Sequence, residues 1–180
     1  MITHTTGINR GPPKASARNN GELVRRYFDV VWNHGDLAAV DDFFGDEFTN
    51  FGHRGADARA LIRAIVAGWR TAFPDLRFEI EEEIVSAGTV VHLLTCRGTH
   101  TGTLEHPADG VLEPTGRSFA VDPMHIHRVR DGHIVQHWGT RNDLSMLQQL
   151  GVVGVATATG EVSATPPMGR PADPPSAGDR

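Results

Sequence analysis

Three histidines on two adjoining β-rich segments are the residues best suited to acid–base chemistry. His125 and His127 lie in the run Arg117–Arg130, and His137 lies in the run that follows Asp131-Gly132. An aspartate-glycine pair between two β-rich runs is typical of a hairpin turn. Side chains alternate along a strand, so His125 and His127 share one face. An imidazole titrates at about pH 6.5, which suits it to remove a proton next to a carbonyl at neutral pH.

The face on which His137 lies depends on the length of the hairpin loop. A two-residue turn places Trp138 opposite His125. A three-residue loop formed by residues 130–132 places His137 opposite His125 instead. A shift of one residue in register moves every side chain to the other face. The arginine-aspartate-glycine run suits a type I turn followed by a glycine bulge, so we expect the three-residue loop and keep the two-residue turn as the alternative.

Composition and charge exclude several classes of protein. A net charge of -5 and a pI near 6.0 do not indicate a nucleic-acid-binding protein. The single cysteine, Cys96, rules out an internal disulfide and a cysteine-based zinc site. No apolar run reaches the roughly 20 residues that cross a membrane, and the N-terminus lacks the apolar core of a signal peptide. We expect a cytoplasmic protein with no membrane or nucleic-acid partner.

The chain divides into three parts by composition. Residues 1–18 lack periodicity and are predicted to be a flexible arm, and residues 152–180, rich in Ala, Gly, Pro, Thr and Ser, a disordered tail. Residues 19–151 form the folded domain, which is long enough to bury a core.

Hydrophobic periodicity within the domain predicts three helices, then mostly strands, and a short fourth helix at the end. The predicted helices are Asn20–His34, Leu37–Phe44, Asp57–Phe73 and, after Asp143 as cap, Leu144–Leu150; the predicted strands are Phe48–Phe51, Leu76–Val85, Thr89–His100 and the histidine hairpin. Residues 101–116 are predicted to form a long loop.

This order predicts an α+β fold, with a curved antiparallel sheet and three N-terminal helices packed on its concave side. Such a sheet leaves an apolar cavity, the usual form of a small-molecule site. Glu79, Glu81 and Glu83 alternate with apolar residues and are predicted to form a solvated strand face.

Five ordered blocks resemble one known family. They are W-N-H-G-D-L-A-A-V-D-D-F-F (Trp32–Phe44), A-F-P-D-L-R-F (Ala72–Phe78), R-G-T-H-T-G (Arg97–Gly102), P-T-G-R (Pro114–Arg117) and D-G-H-I-V-Q-H-W-G (Asp131–Gly139). Together they are similar to the SnoaL-like polyketide cyclases, over about Glu22 to Val152. The resemblance implies a cone-shaped barrel of the NTF2-like superfamily, related to nuclear transport factor 2 and ketosteroid isomerase. It also implies a small-molecule substrate, no cofactor, and a homodimer formed through the sheet.

The resemblance also implies a reaction, but one position departs from it. Characterised cyclases of the family close the last ring of a polyketide by an intramolecular aldol condensation. An aspartate directly after the histidine-tryptophan pair serves as acid/base, helped by a histidine on the preceding strand. The histidine position matches His125, whereas the aspartate position is Gly139, which cannot transfer a proton. The match also favours the three-residue loop, because it places both histidines and position 139 on the inward face.

The catalytic candidates follow from these considerations. We expect His125 to act as base and His137 or Arg141 to stabilise the enolate, since a guanidinium group suits planar oxyanions. The alternative is that both histidines are buried structural side chains. Asp122 is the nearest replacement acid, but a bulge at Asp122-Pro123 would be needed to turn it inward.

Further residues are candidates for contact with a substrate. They are Asn50, His53, Trp69, Arg97, His100, Asp122 and His127. Packing explains Trp69 and His127 equally, loop capping explains Asn50, and a surface salt bridge explains Arg97. His100 ends its strand at the long loop, where it would touch a ligand under a lid or lie exposed.

Three functional hypotheses remain open from the sequence. The first is a cofactor-independent cyclase or isomerase of a carbonyl-bearing, polyketide-like secondary metabolite. The second is a non-catalytic binding protein for an apolar ligand, and the third is a hydrolase that uses a histidine-held water. A His-x-His strand with a third histidine opposite is half of a metal site, but no carboxylate of matching parity completes it, so we expect no metal.

Overall fold

The computed structural model describes residues 14–106, 110–156 and 162–163. The predictions for residues 1–13, 157–161 and 164–180, and the part of the predicted loop at residues 107–109, therefore lie outside the described residues. The first helix begins at Lys14, so the part of the predicted arm from Lys14 to Arg18 is helical instead. No helix among the described residues is long and apolar enough to span a membrane.

Helices come first in the chain and strands dominate its second half. The helical elements are α1 (Lys14–Tyr27), a π-helical turn (Phe28–Asn33), α2 (Val40–Phe43), α3 (Gly55–Ala72) and α4 (Asp143–Gln149). The strands are β1 (Phe44–Asn50), β2 (His53–Arg54), β3 (Arg77–Ser86), β4 (Thr89–Thr99), β5 (Leu104–His106), β6 (Gly110–Leu112), β7 (Ser118–Val121), β8 (Met124–Arg130), β9 (His133–Thr140), β10 (Val155–Ala156) and β11 (Val162–Ser163). Strands β5 and β6 pair with each other within the segment predicted to be a loop.

One curved, unclosed sheet holds most of the strands in the order β2-β1-β9-β8-β4-β3, with β7 also paired to β4. This confirms the predicted α+β architecture. The sheet differs from the expected one in a single pairing, because β1 runs parallel to β9. Strand β4 is long enough to pair with β8 through its first half and with β7 through its second half.

The core lies between the helices and one face of the sheet. Helix α3 buries the face that carries Ala58, Ile62, Val66, Trp69 and Ala72. Leu61 and Ile65, at the edge of this face, are only half-buried. Apolar residues at intervals of three and four still account for the packing of this helix.

Two β-bulges determine which side chains reach the interior. Strand β9 holds one extra residue, Val135, between the partners of Arg128 and Val129. Strand β3 holds one extra residue, Glu81, between the partners of Leu94 and Leu93. A one-residue bulge exchanges the inward and outward faces of the strand beyond it.

The bulge in β3 overturns the prediction that all three strand glutamates are solvated. Beyond Glu81 the alternation is inverted, so Ile84 points outward and is 56% exposed. Glu83 turns inward and is bound by His92 and Arg25, at 2.7 Å and 2.6 Å. The prediction for Glu83 was wrong because a strict period of two cannot register an extra residue.

Candidate active site

The hairpin that carries the histidines has a two-residue turn. Arg130 pairs with His133, and both turn residues have positive φ, 50° at Asp131 and 76° at Gly132. These are the angles of a type I′ turn, which aspartate-glycine favours. The predicted three-residue loop was therefore wrong.

His137 nevertheless faces inward. A two-residue turn alone would turn it outward, but the extra residue Val135 shifts the rest of β9 by one position and so exchanges its two faces. His137 lies opposite His127, and His125 lies opposite Gly139. All three histidines are buried, with exposed fractions of 6% at His125, 0% at His127 and 9% at His137. The prediction that the three histidines share one face is confirmed. The predicted pairing of His137 with His125 was wrong, because His137 pairs with His127.

A chain of hydrogen bonds links Asn50 to His125 through His137. The amide Oδ1 of Asn50 lies 3.0 Å from His137 Nδ1, and His137 Nε2 lies 2.8 Å from His125 Nδ1. Because an amide oxygen only accepts, His137 carries its proton on Nδ1 and accepts at Nε2. His125 must then donate from Nδ1, which leaves its Nε2 with a free lone pair. That nitrogen is buried and has no protein partner among the described residues.

Gly139 makes room for this pair of rings. A Cβ atom at position 139 would lie 2.9 Å from both Nδ1 and Cε1 of His125, and 3.2 Å from Nε2 of His137. These distances are shorter than van der Waals contact, so any side chain at 139 would push the two imidazoles apart. The hydrogen-bonded histidines therefore fill the space that a side chain at position 139 would need.

The π-helical turn supplies the aromatic walls around the cluster. Phe28 packs edge-on against the rings of His92, His125 and His127, at centroid distances of 5.8, 5.4 and 5.7 Å. Asn33 anchors the end of the turn by bonding the backbone of Phe78 twice, as donor at 3.0 Å and as acceptor at 2.7 Å. π-Helical turns of this kind are frequent at functional sites.

A small cavity adjoins His125. Its volume is about 30 Å³, enough for one or two water molecules. Most of its walls are apolar, and its polar members are His125, Arg141 and Asp143; the others are Trp32, Trp69, Phe78, Cys96, Val121, Pro123 and Met146. Arg141 binds Asp143 through two contacts of 3.2 Å and lies over the Trp69 ring, with its Cζ 5.4 Å from the centroid.

Burial keeps the cluster uncharged at neutral pH. It lowers the pKa of His137 to about 4 and, together with the nearby His137, His92 and Arg141, holds the pKa of His125 well below its usual value. Burial likewise holds the pKa of His127 well below its usual value. Neutral imidazoles accept protons, so the group is suited to act as a base.

The same pKa shifts predict a loss of stability in mild acid. Below about pH 6.5 the unfolded chain protonates these histidines, whereas folded His137 stays neutral until about pH 4. The unfolded state therefore binds more protons than the folded state in this window. As the pH is lowered from about 6.5 to about 4, the free energy of unfolding decreases, by on the order of 3 kcal/mol for His137 alone. Urea denaturation at several pH values between 7.5 and 4.5 measures the effect.

A matched pair of variants separates the buried histidines from other titrating groups. His127→Phe removes one buried neutral imidazole and is expected to flatten the pH dependence, whereas Leu94→Val alters the same core without changing a titrating group and leaves the pH dependence as it is. The carboxyls of Asp41 and Asp75 have pKa values lowered by hydrogen bonds from Arg63 and Thr99, so they titrate below this range. A stability that is constant from pH 7.5 to 4.5 would contradict the assignment.

The sequence analysis missed a further interior histidine that lies beside the three of the hairpin. His92 lies opposite His125 on β4, is 0% exposed, and bonds the carboxylate of Glu83 through Nε2. Desolvation lowers its pKa although Glu83 opposes this. His92 alternates with the buried residues Val90, Leu94 and Cys96, so its inward position could be predicted from the sequence. Its partner Glu83 could not, because the bulge at Glu81 turns Glu83 inward.

The geometry of the histidines fits a hydrogen-bonded base better than a metal centre. The candidate ligand nitrogens of His125, His127 and His137 all lie within 4.8 Å of one another. Two nitrogens on one tetrahedral zinc ion are separated by about 3.4 Å. The 2.8 Å between His125 and His137 is shorter than this and is a normal hydrogen-bond length.

Three of the predicted substrate-binding residues lie in or beside the site. Trp69 lines the cavity, Asn50 orients His137, and His127 packs in the core between Tyr27 and Phe28. Both nitrogens of His127 lack a protein partner among the described residues.

The other four lie apart from the cavity. His53 is exposed on β2, and Arg97 forms a surface ion pair with Glu79. His100 is fully buried, where it bonds Thr115 and packs on Phe73, so it anchors the 101–116 segment from within. Asp122 is exposed because the register of β4 continues unbroken past it, so the bulge needed to turn it inward is absent.

Comparisons with known proteins agree with this architecture. The family model of SnoaL-like polyketide cyclase matches residues 22–150. Among solved structures, TsrD from Streptomyces laurentii is 25% identical, with a TM-score of 0.62, and covers 79% of this chain and 99% of its own. IdmH from Streptomyces antibioticus is 24% identical, with a TM-score of 0.60 and coverages of 74% and 99%. A SnoaL-like polyketide cyclase from Agrobacterium tumefaciens is 21% identical, with a TM-score of 0.60 and coverages of 73% and 98%.

Curated protein sequences give no significant match to this chain. The structural relatives share the NTF2-like fold, and the family model spans nearly all of the domain described above. The chain therefore belongs to the SnoaL-like polyketide cyclase family.

Proposed function

We propose that this protein is a cofactor-independent cyclase or isomerase that acts on a carbonyl-bearing, polyketide-like metabolite. The observation that carries the proposal is the hydrogen-bond chain from Asn50 through His137 to His125. These hydrogen bonds fix the tautomer of His125, so that its Nε2 has a free lone pair. His125 is also the histidine that lines the cavity. Family membership supports a cyclase-type reaction.

The proposed reaction begins with proton abstraction. His125 Nε2 takes a proton from the carbon next to a carbonyl, and the electron pair of the broken C–H bond forms an enolate. Arg141 faces the same cavity and stabilises the charge on the enolate oxygen. The enolate carbon then attacks a second carbonyl of the same molecule, and the new alkoxide recovers the proton from His125. The product is an isomer of the substrate, so no oxidant or reductant is required.

His137 and Asn50 stabilise the protonated intermediate. When His125 gains a proton on Nε2, its Nδ1–H bond to His137 Nε2 becomes charge-assisted and stronger. Passage of the Nδ1 proton to His137 would place the charge next to the Asn50 oxygen, 3.0 Å away. The pair thus fills the role of orienting and charge-stabilising partner that a carboxylate has in catalytic triads.

Deuterium exchange tests the first chemical step without knowledge of the natural substrate. The purified chain is incubated in D₂O with acetone, a ketone small enough for a cavity of about 30 Å³, whose methyl protons exchange slowly in neutral buffer, and exchange is followed by NMR. We expect exchange faster than in buffer, with a rate that rises with pH as one group loses its proton. A rate equal to buffer across carbonyl compounds of this size would contradict proton abstraction.

The cavity supports a hydrolase as a second candidate. A volume of about 30 Å³ beside His125 holds one or two waters, and a free imidazole nitrogen activates water as readily as it accepts a carbon-bound proton. Hydrolysis of 4-nitrophenyl acetate without α-proton exchange would favour this candidate. Binding of apolar ligands with neither activity would favour the non-catalytic binding protein.

We further propose that the chain forms a homodimer through the outer face of the sheet. One cross-strand row on this face is entirely apolar and comprises Ile84, Val91, Ile126 and Trp138. Leu93 and Met124 pair beside it and are 37% and 46% exposed. A contiguous exposed apolar patch of this kind marks an association surface.

Substitution of the patch tests the dimer. We expect light scattering after gel filtration to give twice the 19.5 kDa chain mass for the native protein and a lower mass for Trp138→Glu. Leu144→Glu is the matched control, since Leu144 is 60% exposed but lies on α4. A monomeric native protein would contradict the proposal.

A further inference from the structure

The lining of the cavity includes one positively charged side chain, that of Arg141. Arg141 is the only cation among the described residues that line this cavity, and most of the surrounding walls are apolar. Its side chain is 40% exposed. The guanidinium packs over the Trp69 ring, with its Cζ 5.4 Å from the ring centroid. Because the Arg141 side chain is partly exposed, a charged group that approaches the cavity can reach its guanidinium.

The present partner of Arg141 is held loosely. Both contacts to Asp143 measure 3.2 Å, at the long end of the range for charged hydrogen bonds. The surface pair of Arg97 and Glu79 has contacts of 2.8 and 2.7 Å, which shows what a tight bidentate pair looks like in the same chain. Asp143 itself is 34% exposed and lines the cavity, so its carboxylate occupies the place of an incoming anion.

We propose that the substrate is an organic anion whose carboxylate, or similar planar oxyanion pair, displaces Asp143 from Arg141, and that the separation of these two lining residues widens the cavity from its present volume of about 30 Å³ so that the apolar body of the substrate enters beside His125. This inference rests on the proposed function and adds the class of substrate to it. A guanidinium group has five N–H donors, so it can bind a carboxylate through two of them and still donate to an enolate oxygen. The aromatic and aliphatic walls suit an apolar body.

Binding of an anion would also strengthen the base. The positive charge of Arg141 is one cause of the lowered pKa of His125, after burial and the neighbouring histidines. One added negative charge at the mouth offsets this effect and makes Nε2 a better proton acceptor. The anionic group of the substrate would thus both position the molecule and favour its own deprotonation.

A matched pair of probes tests the charge requirement. Phenylacetate and phenylacetamide have nearly the same shape and differ in charge, and their binding is followed by the fluorescence of the tryptophans, of which Trp32 and Trp69 line the cavity. We expect phenylacetate to bind about tenfold tighter, equivalent to about 1.4 kcal/mol. Arg141→Gln should abolish this preference, and Asp143→Asn should strengthen phenylacetate binding several-fold without a change for the amide.

Controls separate this proposal from the proposed reaction. Arg97→Gln removes a surface guanidinium and should leave both affinities unchanged. His125→Ala should keep the preference for the carboxylate, because it removes the base and not the charge. Equal affinity for the two probes, binding of neither, or a preference that survives Arg141→Gln would overturn the proposal. None of these results affects the deuterium-exchange test, which addresses the base alone.

Discussion

Replacement of His125 by alanine is expected to lower the enzyme-catalysed rate of α-proton exchange by about 10²–10⁴-fold, the usual contribution of a positioned general base. The physical reason is that His125 lines the cavity and that its Nε2 has a free lone pair to accept a proton. The other imidazole nitrogens of the Asn50–His137–His125 hydrogen-bond chain are engaged in its hydrogen bonds. His137 does not replace it, because His137 is not among the residues that line the cavity. The measurement is the NMR exchange rate in D₂O, corrected for the rate in buffer.

A neighbouring histidine provides the matched control. His127 lies on the same strand and face as His125 and is equally enclosed, but it does not line the cavity. His127→Phe replaces one ring with another of similar shape and is expected to retain exchange. Thermal unfolding of both variants establishes that each is folded. Loss of exchange in His127→Phe as large as in His125→Ala would mean that core packing, and not a base, controls the rate.

The pH dependence of exchange distinguishes a base from a merely structural residue. Because the pKa of His125 is held well below its usual value, the residue stays unprotonated through neutral pH. We therefore expect the rate to remain at its plateau from neutral pH down to mildly acidic pH and to fall only in stronger acid. The window overlaps the one in which the fold loses stability, so exchange is normalised to the folded fraction at each pH.

The sequence predicted which hairpin side chains face inward better than it predicted the strand register. Period-two alternation correctly grouped His125 with His127, and the family resemblance correctly placed position 139 and His137 on the inward face. The predicted three-residue loop was wrong. The turn at Asp131-Gly132 has two residues, and the extra residue Val135 in β9 has the same effect on His137 as a longer loop would have had. Parity alone does not distinguish a three-residue loop from this combination.

The parts of the site that were missed have a common physical origin. A bulge adds a residue without altering composition, so neither Val135 nor Glu81 carries a local signal that marks it as the extra one. Glu83 therefore looked solvated, and its bond to His92 was hidden. His92 itself was detectable, since an isolated histidine in an apolar alternating strand needs a polar partner inside the core.

The departure from the family pattern at position 139 has a structural explanation that gives the second large prediction. Gly139→Ala is expected to reduce exchange by about 10–10²-fold, because the added methyl group would lie 2.9 Å from the His125 ring and 3.2 Å from His137 Nε2. The rings must separate, and the 2.8 Å hydrogen bond that fixes the tautomer of His125 is lost. NMR of ¹⁵N-labelled histidine measures the tautomers directly.

The control for a glycine-to-alanine change lies on helix α3. Gly68 has a helical backbone and no atom near its virtual Cβ, so Gly68→Ala should leave exchange unchanged and stabilise the fold by about 0.5–1 kcal/mol. Unchanged histidine tautomers and full exchange in Gly139→Ala would show that the rings tolerate a side chain at 139, and the proposed role of the glycine would be wrong.

Gly139→Asp then separates the steric effect from the chemical one. An aspartate also breaks the His125–His137 hydrogen bond, but it supplies a carboxylate at the position where the family resemblance places an acid/base group. If the histidine pair substitutes for that carboxylate, Gly139→Asp should exchange protons faster than Gly139→Ala despite the larger side chain. Its rate should also respond to pH as a carboxylate does, with a fall only below about pH 4 to 5. Equal rates for the two variants would mean that the imidazole pair and the carboxylate are not interchangeable, and that this chain uses His125 for a different reaction from that of its relatives.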